Sequence, residues 1–160
     1  MNPDLYTQIV DFVRSIDIAV IERPIFGTTI LPGITIDHGS LVADRAAVIY
    51  PGDLLHEAGH LAVVPSRDRQ LLHQNAGNDG GCEMAAIAWS FAAAVHLNIA
   101  PSVVFHADGY RGGADSLLDN FQQGRYLGVP MLVWRGLAAS PASGAIGGGG
   151  YPHMRRWLAD

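Results

Sequence analysis

The sequence has little cysteine, little glutamate and no concentrated positive charge. Cys82 is the single cysteine in 160 residues, which excludes an internal disulfide and is compatible with a reducing compartment, so the cytoplasm is the expected location. The formal net charge is -5 and no basic run occurs, which leaves no electrostatic footprint for nucleic acid or for an anionic membrane. We therefore expect no nucleic-acid partner and no membrane partner.

Long hydrophobic runs are also missing. The nearest approach, residues 84–97, is short and rich in alanine, which is typical of a core helix rather than of a membrane span. The first residues contain no charged segment leading into an apolar one, so no signal peptide is predicted. Hydrophobic residues make up 49% of the chain, enough for one sizeable core. We predict one domain over residues 1–160, with a flexible Gly-rich loop at 138–150.

The spacing of apolar residues predicts an α+β domain. A helix is expected over 4–15, with Asn2 as its cap and Pro3 in its first turn, because apolar residues recur on one face. A helix that is apolar on nearly every face, and therefore central, is expected from 82 or 83 to about 98. Short β-branched runs broken by Gly and Pro predict a small antiparallel sheet, with strands at 18–21, 28–31, 34–36 and 41–43, and with 46–50 as a further strand or the lead-in to a helix.

The remaining segments follow from the same reasoning. Residues 66–81 are polar and rich in turn residues, which predicts a loop with a helical turn near 71–72. Further expected elements are a helix from 115 or 116 to about 124, an apolar stretch at 129–137 that packs on the core around Trp134, and a terminal helix at 151–158 docked by Met154, Trp157 and Leu158.

The motif His-Glu-x-x-His stands at 56–60 in a segment with a strongly apolar side, which Asp53 can cap and which Pro65 ends. Residues i and i+4 share one face of a helix, so His56 and His60 can present ring nitrogens to one metal ion. Glu57 then lies next to the open side of the metal, where a metal-bound water needs a general base. Chance produces this motif only about 0.006 times in a chain of this composition.

A catalytic zinc site needs a third protein ligand and one open position. Glu83 lies 23 residues after His60 and begins a helix that is otherwise almost uncharged, so we expect its carboxylate to face a positive group. The alternative is a first-turn glutamate that complements the helix dipole. Four other residues could supply the third ligand instead: Asp79, His73, His106 and Asp108.

His56, Glu57, His60 and Glu83 together resemble the gluzincin arrangement of zinc peptidases. The resemblance implies zinc as the cofactor, His56, His60 and Glu83 as its ligands, and Glu57 as the general base. It also implies a minimal zincin-like fold, in which a small twisted sheet accompanies the motif helix and a following helix that carries the ligand glutamate.

Within that group, residues 34–97 are similar to the ImmA/IrrE-type metallopeptidase-like domain, which cleaves phage or stress repressors. Ala86 and Trp89 match the small and aromatic positions that follow its ligand glutamate, while Ile87 stands where that family usually has Asn. Membrane-bound ATP-dependent proteases share His-Glu-Ala-Gly-His, but nothing here resembles their ATPase module. For the chain as a whole we favour a third group, the small uncharacterised bacterial zincin-like proteins.

A glycine-rich turn at 106–113 supplies further candidate site residues. A zinc peptidase usually needs a His, Tyr or Arg donor to stabilise its oxyanion, and His106 or Tyr110 can serve if this turn borders the metal pocket. The alternative is an ordinary polar turn. Arg125 and Tyr126 are weaker candidates.

These observations predict a zinc-dependent metallopeptidase that hydrolyses peptide bonds in a peptide or protein substrate, with a metal-activated water and Glu57 as base. The alternative is a non-catalytic metal-binding module that regulates or binds a partner.

Overall fold

The computed structural model describes residues 4–74, 79–141 and 149–160. Within these ranges the protein is an α+β structure of six helices and one small sheet. Its elements are α1 (Leu5–Ser15), β1 (Val20–Glu22), β2 (Ile34–Asp37), β3 (Ser40–Ala43), α2 (Gly52–Val63), α3 (Ser66–Arg69), α4 (Gly80–His96), α5 (Ala114–Gln122) and α6 (Val129–Trp134), with 3₁₀ turns at Pro101–Val103 and Tyr110–Gly112. The α+β prediction is confirmed.

The sheet is mixed rather than antiparallel. β2 and β3 form an antiparallel hairpin, but β1 lies parallel to β3, with Val20 opposite Leu41 and Glu22 opposite Ala43. The strand order is therefore β1-β3-β2. The prediction was wrong here because β-branched periodicity marks which face of a strand is buried and carries no information on strand direction. Strand direction depends on the long connection after β1, which places the β2–β3 hairpin beside β1 with β3 parallel to it.

The strand predicted at 28–31 does not form, and residues 46–50, predicted as a strand or as the lead-in to a helix, are the lead-in to α2. Residues 28–31 make only an isolated bridge from Leu31 to Ile34, and Ile30 is 79% exposed. Residues 46–50 form turns, held by hydrogen bonds from the amides of Ala47 and Val48 to the carbonyl oxygen of Asp44. β-branched side chains favour a strand only where a neighbouring strand is available to pair.

Asp4 caps α1, because its carboxylate accepts a hydrogen bond from the Thr7 amide at 3.0 Å. The predicted cap Asn2 and the predicted first-turn Pro3 lie outside the described residues. Tyr6, Ile9 and Val13 are among the residues that α1 buries, as its apolar spacing predicts.

α2 and α4 pack directly against each other at the centre of the structure. A Cβ on Gly59 would lie 2.9 Å from the carbonyl oxygen of Ala86, so the glycine permits the close approach of the two backbones. Trp89 of α4 is fully buried, and its indole nitrogen donates to the carbonyl oxygen of Trp157 at 3.0 Å. This packing brings the beginning of α4 alongside the histidine-bearing turns of α2.

Several expectations for the loops and the C-terminal third were wrong. The helical turn between α2 and α4 lies at Ser66–Arg69, directly after Pro65, rather than near 71–72. Trp134 is 73% exposed, because α6 packs through Val129 and Leu132 on its other face.

No helix forms at 151–158. The Tyr151 amide donates to the carbonyl oxygen of Ala139, and the Arg155 amide donates to that of Leu137. These amides therefore pair with a distant segment instead of with carbonyl oxygens of a helix. Part of the Gly-rich segment at 138–150 is ordered by bridges from Ala138 to Met154 and from Ala139 to Gly150. Residues 142–148, on which the loop prediction chiefly falls, lie outside the described residues.

Across the described ranges, no helix combines the length and the apolar character that crossing a membrane requires.

Candidate metal centre

His56 and His60 lie one turn apart on α2 and turn the same ring nitrogen toward each other. The two Nε2 atoms are 3.1 Å apart. Glu83, in the first turn of α4, completes the group: its Oε2 is 2.8 Å from His60 Nε2 and its Oε1 is 3.4 Å from His56 Nε2. Three side chains of the two types that zinc accepts here, imidazole and carboxylate, therefore converge from two packed helices.

The spacing of these atoms fits a small divalent cation. Ligands bound tetrahedrally to zinc at about 2.0–2.1 Å are separated from one another by about 3.3 Å. The two Nε2 atoms are 3.1 Å apart, and each lies close to one Glu83 oxygen, His60 at 2.8 Å from Oε2 and His56 at 3.4 Å from Oε1, which is near that value. Glu57 also belongs to the group, because His56, Glu57 and His60 offer ligand atoms within 4.8 Å of one another. The structure thus contains a potential metal-binding site.

The two imidazoles are buried, whereas the carboxylate is open to a cavity. The His60 side chain is 7% exposed and the His56 side chain 12%, against 44% for Glu83. The adjoining cavity has a volume of about 820 Å³ and is bordered by His56, Glu57, His60 and Glu83. That volume is typical of a small-molecule or peptide side-chain pocket.

Without a metal, Glu83 and the imidazoles stabilise one another electrostatically. Hydrogen bonds from His56 and His60 hold the pKa of Glu83 far below its ordinary 4.5, against the opposing effect of burial. Burial by itself would lower the pKa of His56, but the hydrogen bond and charge of Glu83 outweigh it, so the pKa lies above the ordinary 6.5. Glu83 and His56 therefore favour each other's charged forms.

Glu57 also borders the cavity, but it is not part of the pairing between Glu83 and the imidazoles. Burial raises its pKa above the ordinary 4.5, while the neighbouring His56 and His60 act in the opposite direction. A carboxylate whose pKa is raised toward neutrality is better suited to accept and return a proton.

Tyr110 lies behind His56 rather than over the ligand nitrogens. Its hydroxyl is 3.1 Å from His56 Nδ1, the nitrogen on the other side of the ring from Nε2. Tyr110 and Arg111 both have positive φ, 56° and 52°, which L residues adopt at a cost of about 1–3 kcal/mol. Burial raises the pKa of Tyr110, so its hydroxyl stays protonated. By contrast, the buried Nδ1 of His60 has no partner among the described residues.

His106 lies one layer further from the cavity. Its Nε2 is 2.7 Å from Asp53 Oδ1, and its ring stacks on Tyr50 with centroids 3.9 Å apart. Tyr50 in turn donates to Asp108. Asp53, which the sequence suggested as a cap, makes no capping bond to α2 and instead holds His106.

The other residues considered as third ligand are engaged elsewhere. Asp79 caps α4 by accepting from the amides of Gly81 and Cys82. His73 lies beside Asp37 and His38, in a separate group. Of the weaker candidates, Arg125 pairs with Asp119, and Tyr126 packs among aromatic rings.

Sequence reasoning missed the residues that shape the cavity. Asp53 and Arg111 border it, and its apolar wall comes from Ile30, Leu31, Ile87, Leu117 and Leu127. The five wall side chains come from four separate segments, so no local pattern marks them. Arg111 is the exception, because the sequence suggested that the turn at 106–113 borders the metal pocket, and the turn does border the cavity through Gly109, Tyr110, Arg111 and Gly113.

Comparison with known proteins finds no match, whether to family models, to curated proteins or to solved structures. The resemblance to zinc peptidases therefore depends on the four motif residues alone, and the potential metal site is the part of it that the structure supports.

Proposed function

We propose that this protein is a zinc-dependent peptidase. The observation that carries the proposal is the convergence of His56 Nε2 and His60 Nε2 on the Glu83 carboxylate, one oxygen facing each ring, with Glu57 beside them on the wall of the same cavity. Two imidazoles and one carboxylate leave a tetrahedral zinc with one position for water, which is the composition of a hydrolytic rather than a structural site.

In this proposal His56, His60 and Glu83 hold the ion. Zinc supplies a Lewis acid that polarises a scissile carbonyl and lowers the pKa of water toward about 7. Glu57 accepts the proton of the attacking water and delivers it to the leaving amine, for which its raised pKa is favourable. The apolar wall around Leu31 and Leu117 would take a hydrophobic side chain of the substrate.

One observation favours a second function, a metal-binding module without catalysis. Tyr110 is hydrogen-bonded to His56 Nδ1 and His106 to Asp53, so both proposed oxyanion donors have other partners. A site with ligands and base but no oxyanion donor would bind metal and hydrolyse slowly or not at all.

The test is digestion of a mixed peptide library by the zinc-loaded protein, with the products identified by mass spectrometry. The proposal predicts new termini that need zinc and that cluster next to apolar residues. Stoichiometric zinc binding without any cleavage would instead support the metal-binding module.

A further inference from the structure

A second group of metal-binding side chains lies at the closed end of the β2–β3 hairpin, outside the candidate metal centre. His38 Nδ1 is 2.7 Å from Asp37 Oδ1, and His73 Nδ1 is 3.4 Å from the same oxygen. The two imidazole rings are stacked with centroids 4.1 Å apart. One ligand atom from each of the three residues lies within 4.8 Å of the others.

The backbone holds the two histidines in register although they come from different segments. The Gly39 amide donates to the carbonyl oxygen of Leu72 at 3.0 Å, and the Gln74 amide donates to that of Ile36 at 2.7 Å. A Cβ on Gly39 would lie 2.9 Å from the carbonyl oxygen of Arg69, so the hairpin end and the segment after α3 are in direct contact. His73 is therefore placed against the hairpin by main-chain bonds that do not involve its side chain.

His38 occupies a turn position that other residues fill more often. Both central residues of the hairpin turn have positive φ, 46° at His38 and 85° at Gly39. Asn, Asp and Gly are the usual first residues of such two-residue turns. Histidine also tolerates this left-handed conformation, and here its ring stacks on His73, a contact that the turn itself does not require.

The charges at this end of the hairpin leave the carboxylate available. The Nη2 of Arg23 is 3.7 Å from the other oxygen of Asp37, Oδ2. Asp37 Oδ1 thus faces the two imidazoles alone among the described residues. Two imidazoles and a carboxylate are ligands that Zn²⁺, Cu²⁺ and Ni²⁺ accept, with water filling the remaining positions at an exposed site.

We propose that Asp37, His38 and His73 form a second transition-metal site, which ties the β2–β3 hairpin to the segment that connects α2 with α4. This site does not depend on the peptidase proposal. Its ligands are distinct from those of the candidate metal centre, so each site can be removed without the other.

The experiment is equilibrium dialysis of the 160-residue protein against excess zinc, followed by elemental analysis. We expect two zinc ions per chain, and one in each of the variants His38→Asn and His73→Gln. Asn suits the left-handed turn, so His38→Asn removes the imidazole without straining the hairpin. The matched control is His153→Gln, which removes an exposed histidine outside both groups and should leave both ions bound.

A further variant separates this site from the candidate metal centre. His60→Ala should lose one ion and keep the one that depends on His38 and His73, and the double variant with His38→Asn should lose both. Circular dichroism checks that each variant is folded. The proposal is overturned if His38→Asn and His73→Gln bind as much zinc as the unmodified protein, or if His153→Gln loses the same ion.

Discussion

The Tyr110 hydroxyl and His56 Nδ1 are hydrogen-bonded at 3.1 Å, while His56 Nε2 faces Glu83 on the other side of the ring. A partner at the second nitrogen fixes the orientation of a metal-ligating histidine, and Nε2 is free to bind in the tautomer in which Nδ1–H donates to the Tyr110 oxygen. This contact gives Tyr110 a positioning role that differs from the oxyanion donor that the sequence suggested.

Tyr110→Phe separates these two roles, because it removes the hydroxyl and keeps the ring. If Tyr110 positions His56, zinc affinity should fall by about 10- to 100-fold, and activity at saturating zinc should largely recover. If Tyr110 is the oxyanion donor, zinc affinity should be unchanged while kcat falls by about 10²- to 10³-fold. Competition with a fluorescent chelator measures affinity, and peptide cleavage at two zinc concentrations measures activity.

Glu57→Gln should abolish cleavage without removing the metal. Loss of a general base costs about 10²- to 10⁴-fold in rate, whereas an amide at this position leaves His56, His60 and Glu83 in place. The matched control is Glu22→Gln, since Glu22 pairs with Arg14 and Tyr6 and does not border the cavity. Cleavage that survives Glu57→Gln would show that another group serves as the base.

A glycine far from the motif in sequence packs closely against the beginning of α4. Gly128 has φ +78°, and a Cβ there would lie 2.0 Å from the carbonyl oxygen of Met84, next to Glu83. Gly124 has nearly the same φ, +75°, with nothing within 4 Å of its would-be Cβ. Alanine at either position therefore carries the same backbone strain, and only alanine at 128 also clashes with the α4 backbone.

Gly124→Ala should destabilise the protein by about 1–2 kcal/mol from left-handed strain alone. Gly128→Ala should cost about 1–3 kcal/mol more, because the methyl group has to displace the α4 backbone. It should also weaken zinc binding, since that displacement moves Glu83. Urea unfolding of both variants measures the difference, and equal midpoints would contradict the steric argument.

The pairing of Glu83 with His56 should stabilise the metal-free protein most strongly within a limited pH range. Glu83 has a lowered pKa when folded, so its contribution is present above its unfolded value near 4.5 and is lost as the pH falls toward the folded value. His56 has a raised pKa, so its contribution is present below about 6.5 and is lost as the pH rises through the folded value.

Both contributions are therefore complete between about pH 4.5 and 6.5. Solvent screens the half-exposed Glu83, which keeps the effect modest. Urea midpoints measured in chelator should separate the protein from Glu83→Gln most widely inside this window. A gap between the two proteins that does not change with pH would contradict the pairing.

The sequence predicted those elements whose apolar spacing or turn residues correspond to the surface that they bury or the turn that they form. Apolar spacing located α1, α2 and α4, and the Pro and Gly between β-branched runs located the β2–β3 hairpin. Strand direction and the exposure of Trp134 depend on which surfaces meet across the chain, so periodicity could not supply them. In the site, the motif indicated His56 and His60 because their spacing is one helical turn.

Glu83 was found because a lone carboxylate at the start of a core helix needs a positive partner, and the structure places it against both imidazoles. The pairing of Asp53 with His106 was not foreseen, since it joins residues far apart in the chain through side chains that each had a plausible local role. The cavity wall was missed for the same reason.

The most direct test of the central claim is the zinc content of protein purified without chelator, compared with His60→Ala and Glu83→Ala. To exclude the hairpin site, all three proteins are prepared with His38→Asn. The account predicts about one zinc per chain, retained in the parent and lost in both ligand variants. A parent protein that binds no zinc even after zinc is added back, or ligand variants that keep their zinc, would contradict it.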